Sequence, residues 1–261
     1  MRALQSNSAA MTLHVEKVGL EAILPLRALF LKEANCQIRY NAVHERGWSD
    51  SYLISLDGRT AGYGSIKGRE IPDRDTVFEF FVMPNFREDS KEIFRGLLLA
   101  ARPKFIDCQS NTPVFPSLIE DFAHGIHADV VLFADDHVTD LAVRGAVARV
   151  RHENDRIFSH TAEPVGSHVI ELNGEVVATG GFLTYYNPPF ADLYMEVHAE
   201  FRRRGIGSFL VQELKRECYL AGHVPAARTG VENKASRATL AKAGLRECGM
   251  MLVGELDPQG L

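Results

Sequence analysis

The sequence has little cysteine, no long apolar run and no surplus of positive charge, and each shortage closes a class of function. Its four cysteines, Cys36, Cys108, Cys218 and Cys248, stand far apart with no C-x-x-C pair. That spacing excludes a disulfide scaffold and the common structural zinc sites, and it fits reduced thiols in a cytoplasmic protein. No apolar stretch approaches the ~18 residues at which a run reads as a membrane-spanning helix. The formal net charge is −5, where nucleic-acid binding asks for a basic surplus or stripe. Residues 1–12 carry one arginine and no apolar centre, so they lack the build of a secretion signal. Patterned sequence opens at Met11, behind a loose tail. The expectation is a cytoplasmic protein with no metal, no nucleic-acid partner and no membrane.

What is present is an ordinary globular composition, 46% hydrophobic and 24% charged over 261 residues, enough for one large or two modest domains. The chain carries one plan twice. Ser51-Tyr52-Leu53-Ile54-Ser55-Leu56-Asp57-Gly58 matches Ser167-His168-Val169-Ile170-Glu171-Leu172-Asn173-Gly174. Each is an alternating strand ending in a pair that accepts positive φ cheaply and makes tight hairpins. A second strand follows each, over 60–67 and 175–185. Further on, the run from Phe78 to Arg87 aligns with that from Leu193 to Arg202, with one residue of loop lost between.

The second copy holds a more specific pattern. An alternating run, Leu193-Tyr194-Met195-Glu196-Val197, leads into Arg202-Arg203-Arg204-Gly205-Ile206-Gly207-Ser208 and then a helical run. A strand that turns through glycines into a helix leaves unpaired N–H groups at the positive end of the helix dipole, a ready site for phosphate oxygens. Asn233-x-x-Ser236 and Lys242-x-Gly244-Leu245 follow downstream. The order and spacing of Arg202-x-x-Gly205-x-Gly207 and these later segments resemble the GCN5-related N-acetyltransferases. The first copy departs from the pattern. After Arg87 it reads Glu88-Asp89-Ser90-Lys91-Glu92, with neither glycine and three acids that would repel a pyrophosphate. Near Asn111 it carries Pro113 and Pro116. The reading is a degenerate, cofactor-free copy over 1–128 and an acetyl-CoA-binding copy over 129–261.

The resemblance implies an α/β fold of two tandem GNAT-like domains, each a mixed, mostly antiparallel twisted sheet with helices on both faces. The second copy reads as a strand (129–133), a helical stretch (138–154), strands 167–172, 176–185 and 191–198, a helix (206–221), a strand (226–231), a helix (236–243) and a strand (246–255). The resemblance also implies a strand that can pass from one domain to the other, and a bulge in the strand carrying Glu196. It assigns cofactor contacts to Met195, Val197, Arg202, Arg203, Arg204, Gly205, Ile206, Gly207, Ser208 and Asn233. The backbone of Met195 and Val197 would hold the pantetheine arm, and Asn233 would cap its helix, bond the arm, or both. Lys242 reads as a solvated helix residue.

Acetyl transfer to a primary amine needs a base, an acid for the leaving thiolate and an oxyanion donor. Alternation places Asp192, Tyr194, Glu196 and His198 on one strand face. Glu196 is the first candidate for the base, with Asp192 and His198 behind it. The position at which many relatives carry an acidic tyrosine is Leu240 here, so Tyr185, Tyr186 and Tyr194 are the substitutes to weigh. The expected acceptor is a small-molecule amine and the expected state a monomer rather than a homodimer. The alternatives are a non-catalytic acyl-CoA sensor, a longer acyl donor, or a protein amine as acceptor.

Overall fold

The structure is a computed structural model that describes residues 12–33, 38, 40–161 and 164–257. Met11, the tail before it and Cys36 lie outside the described residues. The first copy runs Leu13–Val18 (β1), Leu20–Glu33 (α1), Asn41–Glu45 (α2), Ser49–Leu56 (β2), Arg59–Lys67 (β3), Thr76–Val82 (β4), Ser90–Ala101 (α3), Phe105–Gln109 (β5), Phe115–Phe122 (α4) and Ala123–Asp135 (β6). The second runs Ala146–Val150 (β7), His168–Leu172 (β8), Glu175–Leu183 (β9), Phe190–Val197 (β10), Ile206–Leu220 (α5), Val224–Gly230 (β11), Lys234–Lys242 (α6) and Leu245–Leu256 (β12).

All twelve strands form one sheet in the order β1-β2-β3-β4-β5-β12-β6-β11-β10-β9-β8-β7. The order reads the same from either end when β7 to β12 are matched with β1 to β6. The last strand of each copy has crossed over: β12 pairs with β5 of the first copy, and β6 pairs with β11 of the second. The two crossed strands also pair with each other from Leu245–Asp135 to Leu256–Ala123. Two expected sheets are therefore continuous, because each copy completes the other's edge instead of leaving it open. Residue 128 falls inside β6.

The paired hairpins form as their turns demand. Asp57 and Gly58 sit at φ 49° and 75°, and Asn173 and Gly174 at 53° and 84°, the positive-φ pairs of tight two-residue loops. On one sheet face, α3 and α4 bury Ile93, Phe94, Leu97, Phe115, Leu118 and Ile119 against Phe80, Val82 and Ile106. Helices α5 and α6 likewise bury Ile206, Leu210, Leu214 and Leu240 against Leu193, Val197 and Ala227. The opposite face carries α1, with Ile23, Leu26 and Phe30 packed on Tyr63 and Phe81.

Two sequence expectations are corrected. The helix expected over 138–154 is absent: 136–143 is coil and β7 follows, after Gly145 at φ 78°. The coil is held by side chains of α5. Gln212 bonds the Thr139 hydroxyl (2.8 Å) and the Leu141 carbonyl (3.1 Å), and buried Lys215 donates to the carbonyls of His137 (2.7 Å), Ala243 and Gly244 (both 3.1 Å). Backbone groups satisfied from α5 have no need of a helix. The bulge expected in β10 is also missing, since its register with β9 is unbroken from Asp192–Leu183 to Val197–Ala178.

Candidate active site

Strands β10 and β11 run parallel and pair only from Phe190–Val224 to Asp192–Ala226. Beyond that fork β10 keeps β9, while β11 keeps β6 from Ala226 to Gly230. The gap is a cleft of about 210 Å³. Asp192 and Leu193 line its closed end, Met195 and Val211 one wall, and Ser236 and Leu240 of α6 the other side. His198 N–H donates to Val177 of β9 (2.9 Å). By alternation, the backbone groups of Leu193, Met195 and Val197 then turn away from β9, into the cleft. The Val197 carbonyl is already engaged, accepting from Arg202 Nε at 3.0 Å.

The glycine-rich turn sits at the open end. Arg203 and Gly205 take φ values of 63° and 81°, and the first helical bond of α5 runs from Phe209 N–H to the Gly205 carbonyl (3.0 Å). The amides of Ile206, Gly207 and Ser208 are thus the free donors of the helix start. A Cβ on Gly207 would stand 3.1 Å from Thr239 Cγ2 and 3.3 Å from Met195 Cε, so glycine keeps this turn open beside the cleft. Lys242 is less remote than its sequence suggests: Nζ lies 3.8 Å from where a Cβ on Gly205 would be. Of the three arginines, Arg202 is tied to β10, and Arg204 stacks over Phe201 at 5.2 Å. The Ser208 hydroxyl donates to the Thr239 carbonyl (3.1 Å). Asn233 Oδ1 accepts from Ser236 N–H (3.0 Å), which is the capping one of its two expected roles.

Beyond the fork, on the face away from α5, a polar group surrounds Asp192. Its carboxylate is buried and accepts a hydrogen bond from the Tyr185 hydroxyl. Arg228 Nε stands 4.0 Å from it, and Arg228 Nη2 donates to the Tyr185 hydroxyl at 3.3 Å. Burial pushes the Asp192 carboxyl above the ordinary carboxylate range, against the opposing pull of Tyr185 and Arg228. Burial, followed by the charge of Asp192, raises Tyr185 to about 12. Tyr194 is raised by burial too, and its hydroxyl lies over Gly181, 2.7 Å from the position of a Cβ there. Arg228 and its link to Tyr185 were missed in the sequence. The available signal was a lone arginine in the small-residue strand Ala226-Ala227-Arg228-Thr229.

Glu196 is engaged elsewhere. It accepts from the N–H and hydroxyl of Thr161 at 3.1 and 2.9 Å. Thr161 belongs to the coil between β7 and β8, which occupies the chain position of α1 and α2 in the first copy. The same coil places His160 Nε2 2.6 Å from the Thr179 hydroxyl, and stacks Phe158 on His160 and edge-on to His198. Structure thus brings Asp192, Tyr194, Met195 and Leu240 together at the cleft and gives Glu196 and His198 to the coil.

The first copy has the same fork in a different condition. Strand β4 pairs with β5 only at Thr76–Phe105 and Val77–Ile106. Phe80, Phe94, Phe115 and Phe122 then close the gap, with ring centroids 4.9 to 5.9 Å apart. The space left there is about 10 Å³. Its turn begins α3 after Glu88 and Asp89, and Arg87 pairs with Glu33. On the other face a buried ionic group replaces any opening. Glu79 accepts from Arg27 Nε (3.0 Å), from Arg27 Nη2 (3.1 Å) and from Tyr63 (3.0 Å), with His44 at 3.1 Å. Arg27 also reaches Asn187 of the second copy (3.0 Å).

Among the described residues no group of three metal-binding side chains occurs, and no helix is long and apolar enough to cross a membrane. Residues 135–245 match the sequence family described as "Acetyltransferase (GNAT) family", and residues 20–136 match an "Acetyltransferase (GNAT) domain". No curated protein matches the chain. Among solved structures, it resembles an acetyltransferase of the GNAT family from Colwellia psychrerythraea, at TM-score 0.72 and 13% identity over 94% of this chain and all of that one. A GCN5-related N-acetyltransferase from Sphaerobacter thermophilus follows at TM-score 0.55 and 15% identity, over 95% and 96% of the two chains. A tandem GNAT protein from the clavulanic acid biosynthesis pathway aligns at TM-score 0.56 and 12% identity, over 95% and 99%.

Proposed function

Since the chain belongs to the GNAT acetyltransferase superfamily, with one copy in each half, we propose that its second copy, 129–261, transfers an acetyl group from acetyl-CoA to the primary amine of a small molecule. The observation that carries this is the single open fork, about 210 Å³ between β10 and β11. It ends at a glycine-rich helix start on one side and a buried carboxylate on the other. The pyrophosphate would lie on the amides of Ile206, Gly207 and Ser208, with Arg203 and Lys242 supplying charge. The pantetheine arm would run along the cleft-facing backbone of Met195 and Val197. The first copy, 1–128, is assigned no cofactor; its rings fill the corresponding gap.

In the reaction the amine, entering from the face that bears Asp192, loses a proton and attacks the thioester carbonyl carbon. The C–N bond forms, the C–S bond breaks, and the thiolate leaves. Asp192 is the base. It lines the cleft, and burial makes its carboxylate a better proton acceptor than one in water. Glu196, the first candidate by sequence, is held by Thr161. The Leu193 or Met195 N–H can meet the developing oxyanion. Leu240 leaves no tyrosine on α6 to protonate the thiolate, so that proton comes from water or from the Ser236 hydroxyl, which lines the same cleft.

Leu240 also favours a second reading, a non-catalytic acyl-CoA sensor. One experiment separates the two: calorimetric titration of acetyl-CoA, followed by thiol-release assays on a panel of amines. One site per chain with amine-dependent thiol release is the expected result. Binding without release from any amine would turn the reading to a sensor, and two sites would overturn the assignment of the first copy.

A further inference from the structure

The fork ends in two opposite charges. Asp192 Oδ2 and Arg228 Nε are 4.0 Å apart, a charge attraction too long to be a hydrogen bond. Asp192 has its partner in Tyr185. Among the described residues Arg228 has no comparably close hydrogen bond, though it stacks over the Tyr186 ring at 6.0 Å. Of its five N–H donors, one bonds a phenol at 3.3 Å, and its side chain keeps 37% of its surface exposed while lining the cleft. The pair sits against a buried core cluster made by both copies, Tyr186, Ala226, Leu132 and Met251 with Ile38, on which half-buried Tyr185 and Tyr40 pack.

Resting on the acetyl-transfer reading, we propose that the acceptor is an amino acid or a close analogue, an amine with a carboxylate on the same or the next carbon, and that Arg228 binds that carboxylate. The facing charges are complementary to such a zwitterion. Asp192 takes the ammonium group, which is also the group it must deprotonate, and the planar guanidinium takes the carboxylate in two parallel hydrogen bonds. A monoanionic carboxylate suits the place better than a phosphate, because Asp192 at 4.0 Å repels a second negative charge. Arg228 is thus a specificity residue that touches the acceptor.

The test compares amino acids with the amines left when each loses its carboxylate, so that side chain and amine are matched. In the native protein kcat/KM for acetyl transfer should favour the amino acid of a pair by about ten- to a hundred-fold, the worth of a hydrogen bond to a charged group. R228Q should bring the two members of each pair within about threefold; the ratio is the readout, because losing the charge beside Asp192 changes the rate with both members. R228K should recover part of the preference. A merely structural guanidinium would lower both members alike and keep their ratio. Equal use of both members by the native protein, or an unchanged preference in R228Q of native melting temperature, overturns the proposal. The two readings fail separately. Thiol release with either kind of amine upholds acyl transfer, whatever the preference. If no amine releases thiol, transfer falls, and calorimetry of the same pairs on the CoA-loaded protein decides the inference: carboxylate-dependent binding lost in R228Q upholds it, and equal or absent binding overturns it.

Discussion

The two halves hold the same fork of parallel strands, and what fills the fork separates them. In the second copy α6 presents Ser236 and Leu240 to a gap that stays open. In the first, α4 presents Phe115, which meets Phe80 and Phe94, and the gap closes to about 10 Å³. Past the fork the contrast is electrostatic. The second copy keeps Asp192 at the wall of a cleft, with one tyrosine bond and a distant arginine. The first copy surrounds Glu79 with Arg27, His44 and Tyr63 and seals it. One carboxylate is left available to a proton, and the other is committed to the fold. A duplicated scaffold thus carries a buried carboxylate on the same strand face in each copy, Asp192 at the position of Val77 and Glu79 at that of Tyr194, one beside a cleft and the other sealed into the fold.

The largest break in this comparison is Gly207→Glu. A carboxylate placed among the helix-start amides would repel the pyrophosphate and occupy its space. The nearest obstacles to a Cβ there are side-chain ends, Thr239 Cγ2 and Met195 Cε, so the fold should survive. Calorimetry is expected to show acetyl-CoA binding lost and circular dichroism unchanged. Retained affinity would remove the turn from the site.

Next is Asp192→Asn, with an expected loss of about 10²- to 10⁴-fold in kcat/KM and no change in acetyl-CoA affinity. The native pH–rate profile should fall on the acid side at a value above the ordinary carboxylate range, because burial raises this group. Stability has the opposite sign. A carboxyl whose folded pKa is raised costs stability as it ionises with rising pH, so the asparagine variant should melt no lower than the native protein at neutral pH. A lower melting temperature would make Asp192 structural.

The change that probes the buried carboxylate of the first copy is Glu79→Gln. Burial alone would raise this carboxyl, yet Arg27 and His44 hold it well below its ordinary range. Its contribution is complete above the unfolded-state pKa and fades as pH falls toward the folded one. Removing the charge leaves Arg27 buried without its counter-ion, at a cost of about 3–5 kcal/mol, or roughly ten degrees in melting temperature. Acetyl-CoA should still bind at low temperature. A small shift would show that the cluster is not the stabilising centre proposed for it.

Legibility in the sequence followed how local the physics was. Asp57-Gly58 and Asn173-Gly174 announced hairpins because positive φ is set within two residues. Gly205 announced the helix start for the same reason, and Gly207 by the close approach to Thr239 and Met195 that a glycine allows. The stretch 138–154 reads as helix, yet 136–143 is coil, because its partners, Gln212 and Lys215, lie some seventy residues away and outweigh local propensity. The passage of a strand between the copies was legible only through the family resemblance, because exchange of β6 and β12 changes no periodicity. At the site, alternation placed Asp192, Tyr194 and Glu196 on one face. It could not tell which carboxylate the β7–β8 coil would claim through Thr161. Arg228 became legible only once the fork brought it beside Asp192.

The smallest expected effect sharpens the comparison at the helices beyond the two forks. Helix α6 begins with Asn233, whose side chain bonds Ser236 N–H at 3.0 Å; α4 begins after Val114 with no side-chain cap. Removing the cap in Asn233→Ala should cost about 1 kcal/mol, a fall of roughly 2–4 °C in melting temperature. Asn233 Oδ1 accepts from Ser236 and keeps its second lone pair, and the side-chain NH2 has two donors, so a bond from this side-chain amide to the pantetheine arm would be lost in the alanine variant. Serine at the same position separates the two roles, since it restores the cap but has no amide to offer. If Asn233→Ser regains both stability and acetyl-CoA affinity, Asn233 is a cap alone. If it regains stability while affinity stays low, the residue that starts α6 also holds the cofactor, a second duty that Val114 cannot perform in the first copy.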